Sequence, residues 1–287
     1  MVTIPNLVLM NGAAIPQLGF GTYKVTEDTL EIVSSAIEVG YRHIDTAQMY
    51  KNEAQVGEAW ESSGIDRGSF FLTSKLDNPN HKPEVARRTF EQSLKDLRTD
   101  YVDLFLIHYP MPMFYGGDLG ATWAALEEFY DQGMARAIGV SNFLEHHIDQ
   151  IRQSSEIRPM VNQIESHPFF PNDELHRYDR NNGIITEAWA PLARGRGATD
   201  STLANIGEKY GKSAAQVAIR WGLQRGDVLF PKASTAERQR TNMDVFDFHL
   251  SESDMQAIND LGEGDSARTG RHPDIMERLG DFRPLEH

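Results

Sequence analysis

Cysteine is absent from the 287 residues, so disulfide bonds and thiolate chemistry are excluded, while the compartment stays open. Basic residues are scarce: 28 Lys and Arg stand against 42 Asp and Glu, a formal net charge of −14. That balance argues against nucleic acid or an anionic membrane surface as partner, because both need a basic face. An anionic ligand must then be met by a local basic patch. No apolar run approaches the roughly 20 residues of a membrane span. The start, Met1-Val2-Thr3-Ile4-Pro5-Asn6, carries neither a basic leader nor an apolar core, so no signal peptide is expected and a cytoplasmic location is. A linker rich in Pro, Gly and Ser is missing as well, which predicts one domain over residues 1–284. Leu285-Glu286-His287 reads as the scar of an expression tag and is set aside. Finally, no Gly-x-Gly-x-x-Gly follows a strand, since Gly19-Phe20-Gly21 lacks the third glycine. A Rossmann site is therefore not supported.

What the chain does hold is 40% hydrophobic and 24% charged residues, ordinary for a soluble globular protein with a sizeable core. From residue 30 onward, strand-like runs alternate with helical patterns, the rhythm of a parallel sheet with crossover helices. The strands read as 41–44, 70–75, 102–107, 135–140, 160–164, 184–188, 228–231 and 245–248. Eight such units predict an α/β fold, a single (β/α)₈ barrel, whose usual length is about 250 residues. Between them Leu30, Val33 and Ile37, then Ala214, Val217, Ala218 and Trp221, recur at helical spacing. Ser213 and Ser251 stand at N-cap positions, the latter with Asp254 placed as in a capping box. Near the N-terminus, residues 7–10 and 13–15 flank Asn11-Gly12, the dipeptide suited to a tight hairpin turn. Such a hairpin would close the barrel floor. Residues 77–83 and 109–120 are expected as rim loops, and the polar tail 262–283 as a lid.

In a parallel barrel the strand C-termini form the chemical face. Asp45 with Tyr50, then Lys75, then His108 follow three successive strands in this pattern. Reduction of a carbonyl needs a proton donor for the oxygen that is becoming an alkoxide. Tyr50 can serve, but a free phenol has a pKa of about 10 and needs a neighbouring cation to stabilise the phenolate. Lys75 is expected to be that cation and to make the phenol acidic. Asp45 would hold the ammonium in place, and His108 would orient the carbonyl oxygen. A second cluster, Lys232, Arg238 and Arg240, forms a basic patch at a strand end and helix start in an otherwise acidic chain. That patch suits a phosphate.

These segments resemble the aldo-keto reductases. Gly40-Tyr41-Arg42-His43-Ile44-Asp45-Thr46-Ala47 with Glu53, Val56 and Gly57 is similar to the first family signature. Arg136-Ala137-Ile138-Gly139-Val140-Ser141-Asn142-Phe143 resembles the second. The third looks like the run from Phe230 to Asn242. Within that subgroup the bacterial 2,5-diketo-gluconate reductases are the most similar in pattern, through Trp189 and the runs 244–248 and 271–274. The resemblance implies a monomer that reduces small or sugar-derived carbonyl compounds with NADPH, without a metal. It implies that Gly21 and Thr22 lie beside the cofactor, that Ser141, Asn142 and Gln163 hold its carboxamide, and that Trp189 stacks on its ring. It assigns Leu192, Gly195 and Arg196 to the pyrophosphate side, and Lys232, Ser234, Thr235, Arg238 and Asn242 to the phosphate and adenine side. Tyr23, Tyr109 and Phe114 would face substrate, with Tyr115 and Trp123 as further wall residues. The chain departs from the pattern at Ala193, where Gly is common, and at Ala233 and Thr241, where Ser and Glu are usual.

Three other readings compete. A metal-dependent barrel hydrolase could draw on His43, Asp45, His108 and His167. A glycosidase could pair Glu165 with Glu187. A barrel could also sense NADP(H) without turnover. The first leaves Lys75 and Trp189 idle, the second leaves the basic patch without a role, and the last leaves the proton-donor set without one. His146, His147 and His176 read as helix-surface residues.

Overall fold

The structure, a computed structural model, describes residues 3–277 and 279. Two short strands, β1 (Asn6–Val8) and β2 (Ala14–Pro16), pair antiparallel. Eight more follow in a single parallel sheet: β3 (Phe20–Gly21), β4 (His43–Asp45), β5 (Phe71–Leu76), β6 (Leu104–Ile107), β7 (Ile138–Ser141), β8 (Val161–Glu165), β9 (Ile185–Trp189) and β10 (Val228–Leu229). Each neighbours the next in chain order. Closure comes from the two ends: Gly19 N–H donates to Leu229 O at 2.8 Å, and Leu229 N–H donates to Gln17 O at 3.1 Å. The eight strands thus form a (β/α)₈ barrel, with helices covering the outside.

Strands buried on both faces explain the apolar runs. All six residues of β5 are buried, including Lys75. The hairpin seals the floor as the Asn11-Gly12 pair implies. Gly12 takes φ 86°, which only glycine adopts freely, and Leu9 and Ile15 enter a core with Phe71, Leu104, Leu106, Val161 and Val228. Outside, Val33, Ile37, Val217, Ala218 and Trp221 are all buried. Ser213 forms a reciprocal capping box with Gln216. Ser251 caps its helix too, but the Asp254 carboxylate goes to Lys209 and Tyr210, and Ser251 N–H donates to Tyr210 Oη at 3.1 Å. The box expected there is half formed. No helix among the described residues is long and apolar enough to cross a membrane.

Two strand assignments change. Residues 245–248 are not a strand. The backbone at their start is engaged by side chains: Gln216 Nε2 donates to the preceding Asp244 O at 2.7 Å, and Arg220 Nη1 to Val245 O at 3.2 Å. The eighth barrel strand is instead Phe20–Gly21, which at two residues shows no periodicity. Asp45, Lys75 and His108 accordingly sit at the second, third and fourth barrel strands. The histidines are corrected as well. His147 and His176 are buried; His147 Nδ1 accepts from Leu144 N–H at 3.1 Å, and His176 Nε2 lies 2.7 Å from Asp227 Oδ1. Only His146 of the three is exposed. Residues 280–287, which hold the end of the expected lid and the tag scar, lie outside the described residues.

Candidate active site

At the C-terminal rim, Asp45 ends β4, Lys75 lies near the end of β5, and His108 follows β6. Lys75 Nζ donates to Asp45 Oδ1 and Oδ2, both at 2.7 Å, and to Thr46 O at 2.9 Å. Its fourth neighbour is Tyr50 Oη at 3.4 Å. Tyr50 rides on the short turn Gln48–Tyr50 after β4 and is half-buried. Its ring meets His108 edge-on at 5.6 Å between centroids and Tyr23 at 5.2 Å. Tyr109 lies against His108, with centroids 5.7 Å apart. The structure therefore brings Asp45, Tyr50, Lys75, His108, Tyr23 and Tyr109 together from four stretches of chain.

The electrostatics differ from the expectation in one respect. Burial, with Asp45 adding to it, pushes the Tyr50 hydroxyl well above the usual range for a phenol. An acidified tyrosine at rest is thus not found, because the Lys75 charge is already answered by both Asp45 oxygens. Tyr50 is held as a neutral O–H. Burial, helped by Lys75, pushes His108 well below the usual imidazole range, so it is neutral. Its Nδ1 is buried without a partner.

Around this cluster, Ser141 Oγ donates to Gln163 O at 3.0 Å and accepts from Asn142 Nδ2 at 3.0 Å. Asn142 takes φ 60° and also donates to His108 O at 2.9 Å, while its Oδ1 accepts from Trp189 Nε1 at 2.9 Å. Trp189, half-buried at the end of β9, is thereby fixed at the rim. Thr22 Oγ1 donates to Asp45 O at 3.0 Å, which draws the strand end at Gly21 toward the same site. Lys232 Nζ donates to Lys24 O at 2.7 Å and ties the 21–24 loop to the basic patch. Beyond β10, Thr235 Oγ1 caps the helix Ala236–Met243, Asn242 is buried, and Ser234 and Arg238 are exposed. The guanidinium of Arg238 makes no ion pair among the described residues.

Some expected residues are engaged elsewhere. Arg196 is paired with Glu263 and lies over Phe169, and Leu192 is half-buried between two outer clusters. Ala193 and Arg194 take φ 47° and 54°, so the site where Gly is common holds two side chains in the left-handed region. Phe114 packs on Tyr115, which stacks on His81; Trp123 is fully buried in the helix layer and lines no cleft. His43 sits between Pro16 O and Thr73 Oγ1, and His167 against Glu165, so neither joins Asp45.

Reading the sequence missed two features. Glu165 accepts from Thr269 N–H at 2.7 Å and Gly270 N–H at 2.9 Å, which clasps the described part of the tail onto the rim. Burial raises this carboxyl, but bonds from His167, Thr269 and Gly270 outweigh it and hold it low. A β-carbon on Gly270 would lie 2.5 Å from Trp189 Cη2, so glycine permits the contact. The second is Glu187, fully buried beside Gln163. No sequence signal marked either contact, since both depend on which strands are neighbours.

The donor set and basic patch fit a dinucleotide by their chemistry: exposed cations at Lys232 and Arg238, a rim indole at Trp189 and the amides of Asn142 and Gln163. Comparison with known proteins agrees. The model of the Aldo/keto reductase family matches residues 17–263. The glyoxal reductase of Bacillus subtilis (strain 168) is 44% identical over 270 residues, covering 93% of this chain and 96% of that protein. The methylglyoxal reductase DkgA of Escherichia coli (strain K12) is 39% identical over 269 residues, with 93% and 96% covered. The crystal structure of a Gox0644 mutant in complex with NADPH superposes with a TM-score of 0.91 at 38% identity, covering 96% of this chain and all of that one. Barrel, rim cluster and relatives lead to one conclusion: this chain is an oxidoreductase that belongs to the aldo/keto reductase family.

Proposed function

We propose that this protein reduces small aldehydes and α-dicarbonyl compounds of the glyoxal and methylglyoxal kind to alcohols, with NADPH as reductant. The observation that carries it is the Lys75 ammonium held between Asp45 and Tyr50. The names of two relatives support the substrate class, and the NADPH complex of a similar structure supports the cofactor. When bound, NADPH supplies a hydride to the carbonyl carbon.

The chain supplies the rest. Tyr50 gives its hydroxyl proton to the carbonyl oxygen and is reprotonated from solvent. Lys75 stabilises the phenolate as it forms, so the cation acts on the developing charge and not on the resting phenol. Neutral His108 orients the carbonyl oxygen by a hydrogen bond. Trp189, Ser141, Asn142 and Gln163 would hold the nicotinamide end, and Lys232, Ser234, Thr235, Arg238 and Asn242 the phosphate and adenine end. Tyr23 and Tyr109 wall the cleft where a substrate of few carbons would sit.

A panel of carbonyl compounds, assayed by loss of NADPH absorbance with NADH in parallel, tests this reading. Turnover of glyoxal and methylglyoxal with NADPH is expected to exceed that of sugar-derived ketones. Absence of turnover with every carbonyl would refute it.

A further inference from the structure

Gln163 on β8 and Glu187 on β9 are register partners in adjacent strands, so their side chains leave the sheet together into the barrel interior. The single Gln163 amide nitrogen donates to Asp45 Oδ2 at 2.9 Å and to Glu187 Oε2 at 2.8 Å. Both N–H bonds are thus spent on carboxyl oxygens. A flipped amide would aim its own oxygen at Asp45 Oδ2, the acceptor already paired with Lys75, a repulsive arrangement, so the orientation follows from that partner. The amide carbonyl then points the other way, and it accepts no hydrogen bond among the described residues. It is the group at this spot left to receive a donor from the cleft.

We propose that Glu187 is a positioning residue for cofactor recognition: together with Asp45 it locks the Gln163 amide so that its carbonyl accepts from a primary amide on the bound ligand. This rests on the NADPH reading above, since the nicotinamide carboxamide is such a donor. The charge balance supports it. Asp45 on β4 and Lys75 on β5 already cancel, Gln163 on β8 is neutral, and the register partner on β10 is Val228. A second ionised carboxyl in this dry layer is costly, and burial, with Asp45 adding to it, pushes Glu187 up to about 8. A protonated Glu187 still accepts through Oε2, while its Oε1 is buried with no partner among the described residues.

The test compares two ligands. Dissociation constants for NADPH and for 2′-phospho-ADP-ribose, which lacks the nicotinamide, would be measured for wild type, Glu187→Gln, Glu187→Leu and Glu187→Ala. The apolar variants are expected to weaken NADPH about 5- to 10-fold, the worth of one buried hydrogen bond, and to leave 2′-phospho-ADP-ribose unchanged. Glu187→Gln restores an acceptor and is expected to restore NADPH affinity. The Ala variant, which cannot overpack, reads the same effect should Leu fail to fold. Equal weakening of both ligands would show a merely structural role and overturn the proposal, as would no weakening of NADPH. A wild type that binds no NADPH would refute the cofactor reading itself, a distinguishable result.

Discussion

One ammonium group with three protons faces four oxygens at this rim, and the longest of its contacts is the one to Tyr50. That ordering leaves the phenol neutral until charge develops on it. The same dry layer keeps Glu187 protonated, which has a measurable consequence for stability. Its folded value is raised to about 8 from a carboxyl's 4.5, so between these values the folded state keeps a proton that the unfolded chain has lost. Stability is fully present below about 4.5 and falls as pH rises toward about 8. Glu53, raised to about 7 mainly by burial, contributes with the same sign over a narrower window. Melting temperatures of wild type and Glu187→Gln are expected to diverge as pH rises through this range, with the variant losing less; parallel curves would contradict the assignment. In the basic patch beyond β10, Arg238 is exposed and makes no ion pair among the described residues. Arg238→Ala is expected to raise the dissociation constant for NADPH about tenfold or more, the worth of a charge-assisted bond, and to leave NADH nearly unchanged. Equal loss for both would show the 2′-phosphate to be held elsewhere. Asp45, Tyr50, Lys75 and His108 were legible because chemically distinct residue types stand at successive strand ends. Glu187 was legible only as a carboxylate, because its partner is set by the β8–β9 register.

Elements meet most closely where the sequence is small. Gly57, in the helix Glu53–Ser62, has the backbone of Asp96 and Leu97 against it, and a β-carbon there would lie 2.3 Å from Asp96 O. Backbone cannot step aside as a flexible side chain can. Gly57→Ala is therefore expected to destabilise by about 1–3 kcal/mol through overpacking, read as a lower urea midpoint at unchanged slope. An unchanged midpoint would mean that the helix Glu53–Ser62 moves freely away from the backbone of Asp96 and Leu97. Most strands were legible as apolar runs, since parallel strands bury both faces. Phe20–Gly21 escaped notice because two residues cannot show a period. Residues 245–248 read as a strand on their aromatic and β-branched content, but Gln216 and Arg220 take the carbonyls of the Asp244-Val245 backbone that leads into them.

On the scale of the whole molecule, the hairpin closes one end of the barrel with Leu9 and Ile15, and the other end carries the cluster of Asp45, Tyr50, Lys75 and His108. Closing the floor leaves the C-terminal rim as the open end, where β4, β5 and β6 deliver Asp45, Lys75 and His108. Fold class was legible from the alternation of strands and helices, whereas the clasp of Glu165 on Thr269 and Gly270 spans 104 and 105 residues and left no local trace. The central claim is that this assembly makes Tyr50 the proton donor for a carbonyl reduced by NADPH. Its most direct test is the steady-state rate of Tyr50→Phe with methylglyoxal, measured beside the NADPH dissociation constant of the same variant. The account expects a rate loss of roughly 10²- to 10⁴-fold with NADPH affinity retained; a rate near that of wild type would contradict it.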